Sequence, residues 1–496
     1  MATALVPNTD VAGMARPAGE LDVRRALAPY AGPWNGRLAA HLLRRAGFGG
    51  TPSEIASLAA MPVHQAVDQL LNLPAADAIA PAGSLYSLSA AIAQLFPNGR
   101  PKDVDDMERR RIFEQIRMGE RDSIISVQNW WLNRMLATPA PLQEKMTLFF
   151  HGHFTSAAIQ KGVDPQMIFA QNQLFREYEL GNLRDLTWQV SIDPAMLIYL
   201  DNATNVAKHP NENYARELME LFTLGVDHYT ENDVRESARA WSGWIVNRRT
   251  GAAQFVPGRH DDGTKTFLGQ TGNWTGQDIV SIIYRQPACA MFWANTLLNF
   301  FVYNDPEPAL VSSLANAIRA HDFELRPIMS MLLRSNVFFS QRAYRALVKS
   351  PVEFTIGTYK ALELTEVGLQ GQRALTQMGQ VLFYPPNVAG WPGGANWLTT
   401  QTMIARANFV ASIVNSPAMT DASWLQSVPM RSQEAARVLV ERMLLGDASG
   451  SALAQLSAYL DGSNTSALGV LSPENFQERL RGGIYLTMAM PAYQLG

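Results

Sequence analysis

Apolar residues recur at the spacing of an α-helix along most of the 496 residues of this chain, and no other feature limits its fold as strongly. Helix boundary signals support the pattern. Residues 51–54 combine a capping threonine, a proline at the first helical position and a glutamate at the third. Gly181 and Gly225 stand where a glycine commonly ends a helix. We therefore expect a mainly α fold, a multi-helical globular assembly, with helices near 36–46, 104–120, 122–137, 141–151, 164–180, 211–224, 231–244, 276–285, 288–302, 307–320, 325–335, 350–363, 368–381, 399–415, 432–444, 451–460 and 474–489.

Two segments interrupt the helical pattern. Residues 251–274 contain turn residues and short alternating stretches, which predict a small β-hairpin or an irregular insertion. Residues 383–397 contain three prolines and three glycines, so neither a helix nor a central strand can run through them. A long irregular element in a helical protein is usually a binding loop or a packed Ω-loop.

The composition suits a large hydrophobic core and argues against two classes of partner. Hydrophobic residues make up 47% of the chain, charged residues make up 17%, and the net charge is −3. Because the chain has no basic field to hold a polyanion, nucleic acid is not an expected partner. No apolar run reaches the length of about 18 residues that a membrane-spanning helix needs, so no membrane span is expected.

The domain organisation follows from the same patterns. We expect a loosely ordered N-terminal arm at 1–30, a helical core domain at 31–420, and C-terminal helices at 421–496 that pack on the core. The first 30 residues lack a basic stretch followed by an apolar stretch, which is the pattern of a secretory signal. The chain as it stands is therefore expected to be cytoplasmic.

One predicted helix, at 211–224, concentrates polar groups that could take part in chemistry. At about 100° per residue, the polar residues of one arc are Asn213, Arg216, Glu217 and Glu220. One interpretation is a solvated polar face on which Arg216 pairs with Glu220. The other is that Glu217 and Glu220 face an internal cleft, where paired carboxyl groups can share acid and base roles or hold a cation.

A histidine pair, His151 and His153, flanks Gly152 at the end of an apolar helix. In extended backbone the two side chains would point the same way and could bind one metal ion. In a helix they would diverge by about 200°. One divalent metal ion is therefore the cofactor that the sequence suggests, and helix capping or core hydrogen bonding is the alternative.

The insertion at 251–274 brings an imidazole, a carboxylate and an ammonium group close together at His260, Asp261 and Lys265. Loops often carry functional groups, so these three are candidate catalytic residues together with the two glutamates. A structural Asx-turn at Asp262 explains the same residues without any function.

The Pro/Gly segment at 383–397 carries aromatic side chains. Aromatic groups on a rigid loop commonly form a platform for sugar rings or other flat ligands, and they equally often plug a hydrophobic core. The candidate substrate-binding residues, with those of the polar helix, are Asn213, Arg216, Asn387, Trp391 and Trp397.

Nine segments of the chain carry a resemblance to a known family. They are HLLRRAGFG (41–49), PLQEKMTLFFHGHF (141–154), QNQLFREYELGN (171–182), DPAMLIYLDN (193–202), PNENYARELMELFTLG (210–225), YTENDVRESARAWSGW (229–244), HDDGTKTFLG (260–269), LVKSPVE (347–353) and LFYPPNVAGWPGGANW (382–397). In this order they resemble the bacterial family catalogued as domain of unknown function 1800.

The resemblance implies partners and export more than chemistry, because the family has no established activity. Its members are often exported, and this chain departs from them in lacking a recognisable signal peptide. They are often encoded beside a protein of the family of unknown function 1501, which looks like the alkaline phosphatase and sulfatase superfamily, so such a protein is the implied partner. The shared segments contain most of the candidate residues: His151, His153, Glu217, Glu220, His260, Asp261, Lys265 and Trp391.

The sequence is compatible with three functions. The first is a hydrolase that acts on a carbohydrate or another polar polymer, with Glu217 and Glu220 in a cleft closed by 251–274 and 383–397 and a metal ion on the two histidines as a variant. The second is a non-catalytic helical scaffold or partner that assists secretion or assembly, which the lack of common catalytic motifs favours. The third, a haem or redox enzyme, rests only on histidines and aromatic residues.

Overall fold

The computed structural model describes residues 22–72, 85–86, 91, 105–247, 250–420, 422–462 and 473–496. Within them the fold is mainly α, as the periodicity predicts. The helices, numbered in chain order, are α1 (Gly36–Arg45), α2 (Pro52–Ala59), α3 (Val63–Leu71), α4 (Asp106–Ala137), α5 (Pro141–His153), α6 (Pro165–Glu177), α7 (Leu183–Ser191), α8 (Pro194–Tyr199), α9 (Asn213–Glu217), α10 (Glu231–Ala240), α11 (Gly276–Tyr284), α12 (Pro287–Phe301), α13 (Pro308–Ala320), α14 (Leu325–Leu333), α15 (Pro351–Ala361), α16 (Gly368–Met378), α17 (Thr400–Val414), α18 (Pro417–Thr420), α19 (Ser432–Leu444), α20 (Gly450–Asp461), α21 (Pro473–Ala489) and α22 (Pro491–Gln494). Short 3₁₀ turns occupy Val23–Arg25, Asn202–Thr204, Pro257–Arg259, Gly394–Leu398 and Ser423–Ser427.

Most helix boundaries fall within a few residues of the prediction, and the exceptions have physical causes. The two helices predicted at 104–120 and 122–137 are the single helix α4, which continues through Gly119. A lone glycine costs a helix only about 1 kcal/mol relative to alanine, so it does not have to end one. Among the described helices, four have no counterpart in the prediction: α3, α7 and the two one-turn helices α18 and α22.

Four short strands form two separate antiparallel pairs. The pairs are β1 (Trp244–Val246) with β2 (Ala253–Phe255), and β3 (Lys265–Phe267) with β4 (Gln270–Gly272). The small β insertion predicted near 251–274 is thus confirmed, although β1 precedes the predicted segment.

Helix α5 runs through the core and carries charged groups with it. The helix is buried on all sides from its first residue to His151. Glu144 forms ion pairs with Arg176, at 2.8 Å, and with Arg134. Because an uncompensated buried charge is costly, these pairs are what allow the glutamate to lie in the core. The helix therefore holds the two histidines at its end, His151 and His153, in fixed positions.

The C-terminal part of the chain contacts the rest at several places, among them the ion pair of Asp447 with Arg345 and the hydrogen bond from Arg442 to the carbonyl of Ala361. Helix α21 packs along α17, and Leu495 pairs with Val348 just before α15. The proposed division near residue 420 stays a prediction, and residues 1–21 of the N-terminal arm lie outside the described residues. Among the described residues, no helix is both long enough and apolar enough to cross a bilayer.

Candidate functional site

The segment predicted as one helix at 211–224 consists of two kinds of helix. Residues Asn213–Glu217 are α-helical, and the following turn, Leu218–Thr223, is a π-helix. The hydroxyl of Thr223 donates to the carbonyl of Leu218 at 2.5 Å, across the wider turn. π-Helical turns are rare and occur frequently at functional sites. Glu217 is the last α-helical residue and Glu220 lies within the π-helical turn.

The carboxyl group of Glu217 is partly buried and has no hydrogen-bond or ion-pair partner within the part of the chain that the structure describes. Burial raises its pKa, the neighbouring carboxylate of Glu220 raises it further, and Arg216 opposes the shift. A carboxyl group in this setting keeps its proton to a higher pH than an ordinary glutamate, which is what a general acid requires.

Glu220 differs from Glu217 in having a hydrogen-bond partner. The phenol of Tyr229 donates to Glu220 Oε2 at 3.0 Å. Burial and this contact with Glu220 raise the pKa of Tyr229 to about 12, so the phenol keeps its proton and stays a donor. The two glutamates therefore lie in unlike environments: Glu217 has no partner among the described residues, and Glu220 accepts a hydrogen bond.

A second polar group lies beside Glu217, on the turn that follows α8. Asp201 Oδ2 accepts from Asn213 Nδ2 at 3.3 Å and from Lys161 Nζ at 2.6 Å. Tyr199 links this group to Glu217. Its carbonyl accepts from Lys161 at 2.9 Å, and the pKa of its phenol is raised by burial and, to a smaller extent, by the charge of Glu217. We call Lys161, Tyr199, Asp201 and Asn213 the rim of the glutamate pair.

Arg216 points away from Glu220. Its guanidinium pairs with Glu231, at the start of α10, with two contacts of 2.7 Å, and with Glu212 at 3.3 Å. The pairing of Arg216 with Glu220 expected on a solvated helix face is therefore wrong. The turn at 225–230 brings Glu231 within reach of the guanidinium, and this bidentate partner satisfies it in place of Glu220.

His151 and His153 both lie within α5, so the helical alternative for their geometry is the one found. His151 Nε2 accepts from the backbone N–H of Phe383 at 3.1 Å, and burial lowers its pKa to about 3. His153 Nε2 bonds the carbonyl of Phe222 at 2.9 Å, and burial lowers its pKa to about 4. The structure does not bring the two imidazoles to a common point. Among the described residues, no group of three or more His, Cys, Asp or Glu side chains could hold a metal ion.

His260, Asp261 and Lys265 form a separate cluster that holds the β insertion on α10. Asp261 pairs with Arg239 at 2.8 and 3.1 Å and accepts from the backbone N–H of Gly263 at 2.8 Å. Lys265 is buried and donates to the carbonyls of Asp261 and Gly263. The imidazole of His260 donates from Nδ1 to the carbonyl of Ser242 at 2.8 Å.

The contacts of this cluster agree with the structural turn that the sequence predicts as one alternative, except that a different aspartate makes the turn. The Asx-turn is made by Asp261, and not by Asp262 as expected from the dipeptide with Gly263. No contact joins these groups to Glu217 or Glu220 in the part of the chain that is described. The structure therefore separates them from the glutamate pair.

The Pro/Gly segment packs its aromatic side chains inward. The ring of Trp391 lies 5.3 Å from that of His151, and Trp397 is only 5% exposed. Asn387 accepts from the N–H of Ala389 at 2.9 Å and so shapes a turn. These contacts match the core-plug alternative better than an open platform for a flat ligand.

A protein-family model matches residues 41–495, nearly the whole chain. The chain belongs to that family. Its description is Protein of unknown function (DUF1800). No curated protein and no solved structure shows significant similarity to the chain.

In this DUF1800 chain, three of the nine resembling segments meet at the glutamate pair. Tyr199 comes from 193–202, Glu217 and Glu220 from 210–225, and Tyr229 from 229–244. Sequence reasoning selected the glutamates and missed both tyrosines, as well as Lys161. Periodicity identifies residues on one helix, whereas these partners come from turns whose positions depend on the packing of other helices.

Proposed function

We propose that this protein is a hydrolase that acts on a carbohydrate or another polar polymer, with Glu217 and Glu220 as its two working carboxyl groups. The observation that carries the proposal is their difference in environment. Glu217 is partly buried, unpartnered within the described residues and raised in pKa, whereas Glu220 accepts a hydrogen bond from Tyr229. A pair of carboxyl groups in unlike environments is the usual equipment for acid–base hydrolysis.

The roles follow from the two environments. Glu217 in its protonated form would donate its proton to the oxygen of the leaving group as the scissile bond breaks. Glu220, which accepts the hydrogen bond of Tyr229, would act as a carboxylate that takes a proton from the attacking water as its hydroxyl group bonds to the reacting carbon. Proton exchange with solvent then returns the proton to Glu217 and removes it from Glu220.

The substrate class is inferred from the rim. Lys161, Asp201 and Asn213 offer an ammonium, a carboxylate and an amide within one hydrogen-bonded group beside Glu217, and Tyr199 adds a phenol. Alternating donors and acceptors of this kind suit a ligand rich in hydroxyl groups. The side chains of Lys161, Asp201 and Asn213 already bond one another, so they are held in place before a ligand arrives.

The metal-assisted form of the mechanism is not part of the proposal. In that form His151, His153 and Glu217 would hold one divalent ion. Each imidazole instead bonds a backbone group from inside an aromatic cluster, through Nε2. Binding a metal through those atoms would break two buried hydrogen bonds.

The test is a substrate screen with matched variants. Purified protein is incubated with a panel of oligosaccharides and polysaccharides, and products are measured by mass spectrometry. With any substrate that is cleaved, Glu217→Gln is expected to lower kcat by about 10²–10⁴, the usual contribution of a general acid. Glu177→Gln is the control, because Glu177 is an exposed glutamate on α6. Full activity of Glu217→Gln would remove Glu217 from the mechanism.

The alternative, a non-catalytic helical partner in secretion or assembly, makes the opposite prediction. It expects no cleavage of any substrate and unchanged binding of a phosphatase-like or sulfatase-like partner by both glutamine variants. Co-purification of the two proteins, with and without Glu217→Gln, separates the two functions.

A further inference from the structure

A cavity of about 50 Å³ lies between α1, α15, α19 and Gly496, and neither the glutamate pair nor its rim lines it. One water needs about 10–15 Å³ on this measure, so the cavity has room for about three to five water-sized groups. Its charged lining residues are Arg44, Lys349, Glu353 and Arg442.

Two of these cations, Arg44 and Lys349, have no ion-pair partner within the described residues, although Arg44 also interacts with the side chain of Tyr344. The Nε and Nη2 atoms of Arg44 are buried and have no hydrogen-bond acceptor within the described residues. Lys349 is 8% exposed, and its ammonium lies 3.9 Å above the ring of Tyr493 without a hydrogen bond to any described residue. Both side chains line the same cavity.

The nearby carboxylates are already engaged with other cations. Glu353 pairs with Lys145 and also accepts from the N–H of Ser350, which it caps. Glu363 pairs with Arg442 at 3.0 Å. Neither is therefore available to neutralise Arg44 or Lys349.

A further carboxylate near the cavity, Asp447, is shared among three other groups. It pairs with Arg345 at 2.7 Å and with Arg37, and it accepts from the hydroxyl of Tyr344. Its charge contributes to raising the pKa of Arg44, but burial and Arg345 prevail and lower that pKa to about 10.

Other cations around the cavity have only neutral partners. Arg406 bonds the carbonyl of Lys349 at 2.6 Å and the amide of Gln494, and Arg45 bonds the carbonyls of Phe300 and Phe301. The pKa of Lys349 is lowered well below its usual value by burial and by Arg44 and other neighbouring arginines. Isolated buried charges are very unfavourable, so this surplus of positive charge calls for an anion.

We propose that this cavity binds a small oxyanion of the phosphate or sulfate type, held by Arg44 and Lys349. The Nε and Nη2 atoms of one guanidinium form a fork that matches two oxygens of an oxyanion. The ammonium of Lys349, which lines the same cavity, supplies a further donor. A tetrahedral oxyanion, with four oxygens, agrees with the space for about three to five water-sized groups.

One competing group must be included in the test. Gly496 lines the cavity, and a Cβ atom on it would lie 3.7 Å from Arg45 Nη1 and 3.8 Å from Lys349 Cγ. A free carboxylate at Gly496 could occupy the space of a bound oxyanion. The measurement is therefore made on the chain ending at Gly496 and on a chain extended by Gly-Ser, which moves that carboxylate away.

The experiment is isothermal titration calorimetry with sodium phosphate and sodium sulfate, in a buffer that contains neither. Saturable binding of one ion per chain is expected in at least one of the two chains. Arg44→Gln/Lys349→Gln is expected to weaken it by about tenfold or more, since hydrogen bonds to charged groups are lost. Glycerol 3-phosphate, titrated in parallel, tells a free oxyanion from a phosphate group on a larger molecule.

The control variant is Arg319→Gln/Lys208→Gln, which removes the same two charges from exposed positions outside the cavity and should bind as tightly as the native protein. Lys349→Met is the second test if the double variant does not fold, because removing an unpaired buried charge should not prevent folding. It too is expected to bind the oxyanion about tenfold more weakly. Absence of saturable binding in both chains, or equal binding by the cavity and control variants, would overturn the proposal.

Discussion

The backbone carbonyl of Gly152 lies directly against Gly390, so close that a Cβ atom on Gly390 would stand 2.3 Å from the oxygen. Gly390 also has φ +83°, a conformation that side chains other than glycine rarely adopt. This contact joins the Pro/Gly segment to the end of α5. Beside it Trp391 packs on His151, and the N–H of Phe383 bonds the same imidazole.

Gly390→Ala is expected to destabilise the protein by about 2–5 kcal/mol, because it adds left-handed strain to a clash with backbone. Gly393→Ala is the matched control from the same segment, where no atom lies within 4 Å of the added Cβ. The free energies of unfolding come from urea titrations of both variants. Equal stabilities would mean that the segment does not depend on its contact with Gly152.

His151 predicts a fall in stability with acid. Its pKa of about 3 in the folded protein lies below the value of about 6.5 expected in the unfolded chain. The neutral imidazole therefore contributes stability that is present above pH 6.5 or so and is lost as the pH falls toward 3, by about 1.4 kcal/mol per pH unit. In His151→Gln an amide oxygen can still accept from the N–H of Phe383, and nothing titrates.

The expected result is that His151→Gln flattens part of the slope between pH 6.5 and 4.5, measured by urea unfolding at several pH values. His153, whose pKa burial lowers to about 4, keeps the rest of the slope. His209→Gln, at an exposed histidine, should leave the profile unchanged. A slope identical in native protein and His151→Gln would show that His151 is not buried in its neutral form.

The buried ion pair of Glu144 and Arg176 predicts a large loss of stability when one partner is removed. Glu144→Gln leaves Arg176 charged in the core, and breaking such a pair costs about 3–5 kcal/mol. In Glu144→Gln/Arg176→Met the uncompensated charge is gone, so the double variant should be more stable than Glu144→Gln alone. Denaturant unfolding at neutral pH measures both.

Glu144 also has a pH signature. Burial alone would raise its pKa, but Arg176 and Arg134 outweigh burial and lower it. The stability that Glu144 contributes is therefore present above the pKa of an ordinary glutamate and is lost as the pH falls through the lowered pKa of the folded protein. Glu108→Gln, which removes an exposed pair with Arg111, is the control and should cost less than about 1 kcal/mol. A comparable loss in both variants would contradict the role given to burial.

Glu217 predicts the opposite dependence on pH. Because its pKa is raised in the folded protein, the protonated carboxyl contributes stability that is present below the unfolded pKa of about 4.3 and is lost as the pH rises through the folded pKa. Glu217→Gln, which mimics the protonated form, should have the higher melting temperature at neutral pH, and the difference should close below about pH 4.

Differential scanning calorimetry from pH 3.5 to 8 checks this without a substrate. Glu177→Gln, at an exposed glutamate, should show no such crossover. If Glu217→Gln melts at the native temperature throughout this range, the environment that suits Glu217 to act as an acid is absent, and the proposed mechanism loses its carrying observation.

Local sequence signals were enough for the secondary structure. Thr51, Thr230 and Ser350 cap their helices with reciprocal side-chain bonds, and the cap at Thr51 is one that the sequence predicts. The turn-rich stretch at 251–274 is the β insertion. These features depend on residues a few positions apart, so the chain itself carries the information.

The roles of the polar residues depended on contacts between distant parts of the chain. His151 serves as an acceptor for a backbone group 232 positions away, and Asp261 closes a turn on Arg239. From the chain alone, His151 is either a metal ligand or a group that caps a helix or bonds within the core, and Asp261 is either a catalytic group or part of a structural turn. The choice needed the positions of Phe383 and α10.

The sequence by itself therefore determined a helical fold, a β insertion and a short list of candidate groups that included Glu217 and Glu220. Only the tertiary structure decided which side chains lie together. It brings Tyr229 to Glu220 and Asn213 to Asp201, and it places Arg44 and Lys349 in the lining of one cavity. The reason is that helical periodicity sets which residues share a face, whereas burial and charge pairing arise where separate elements pack against one another.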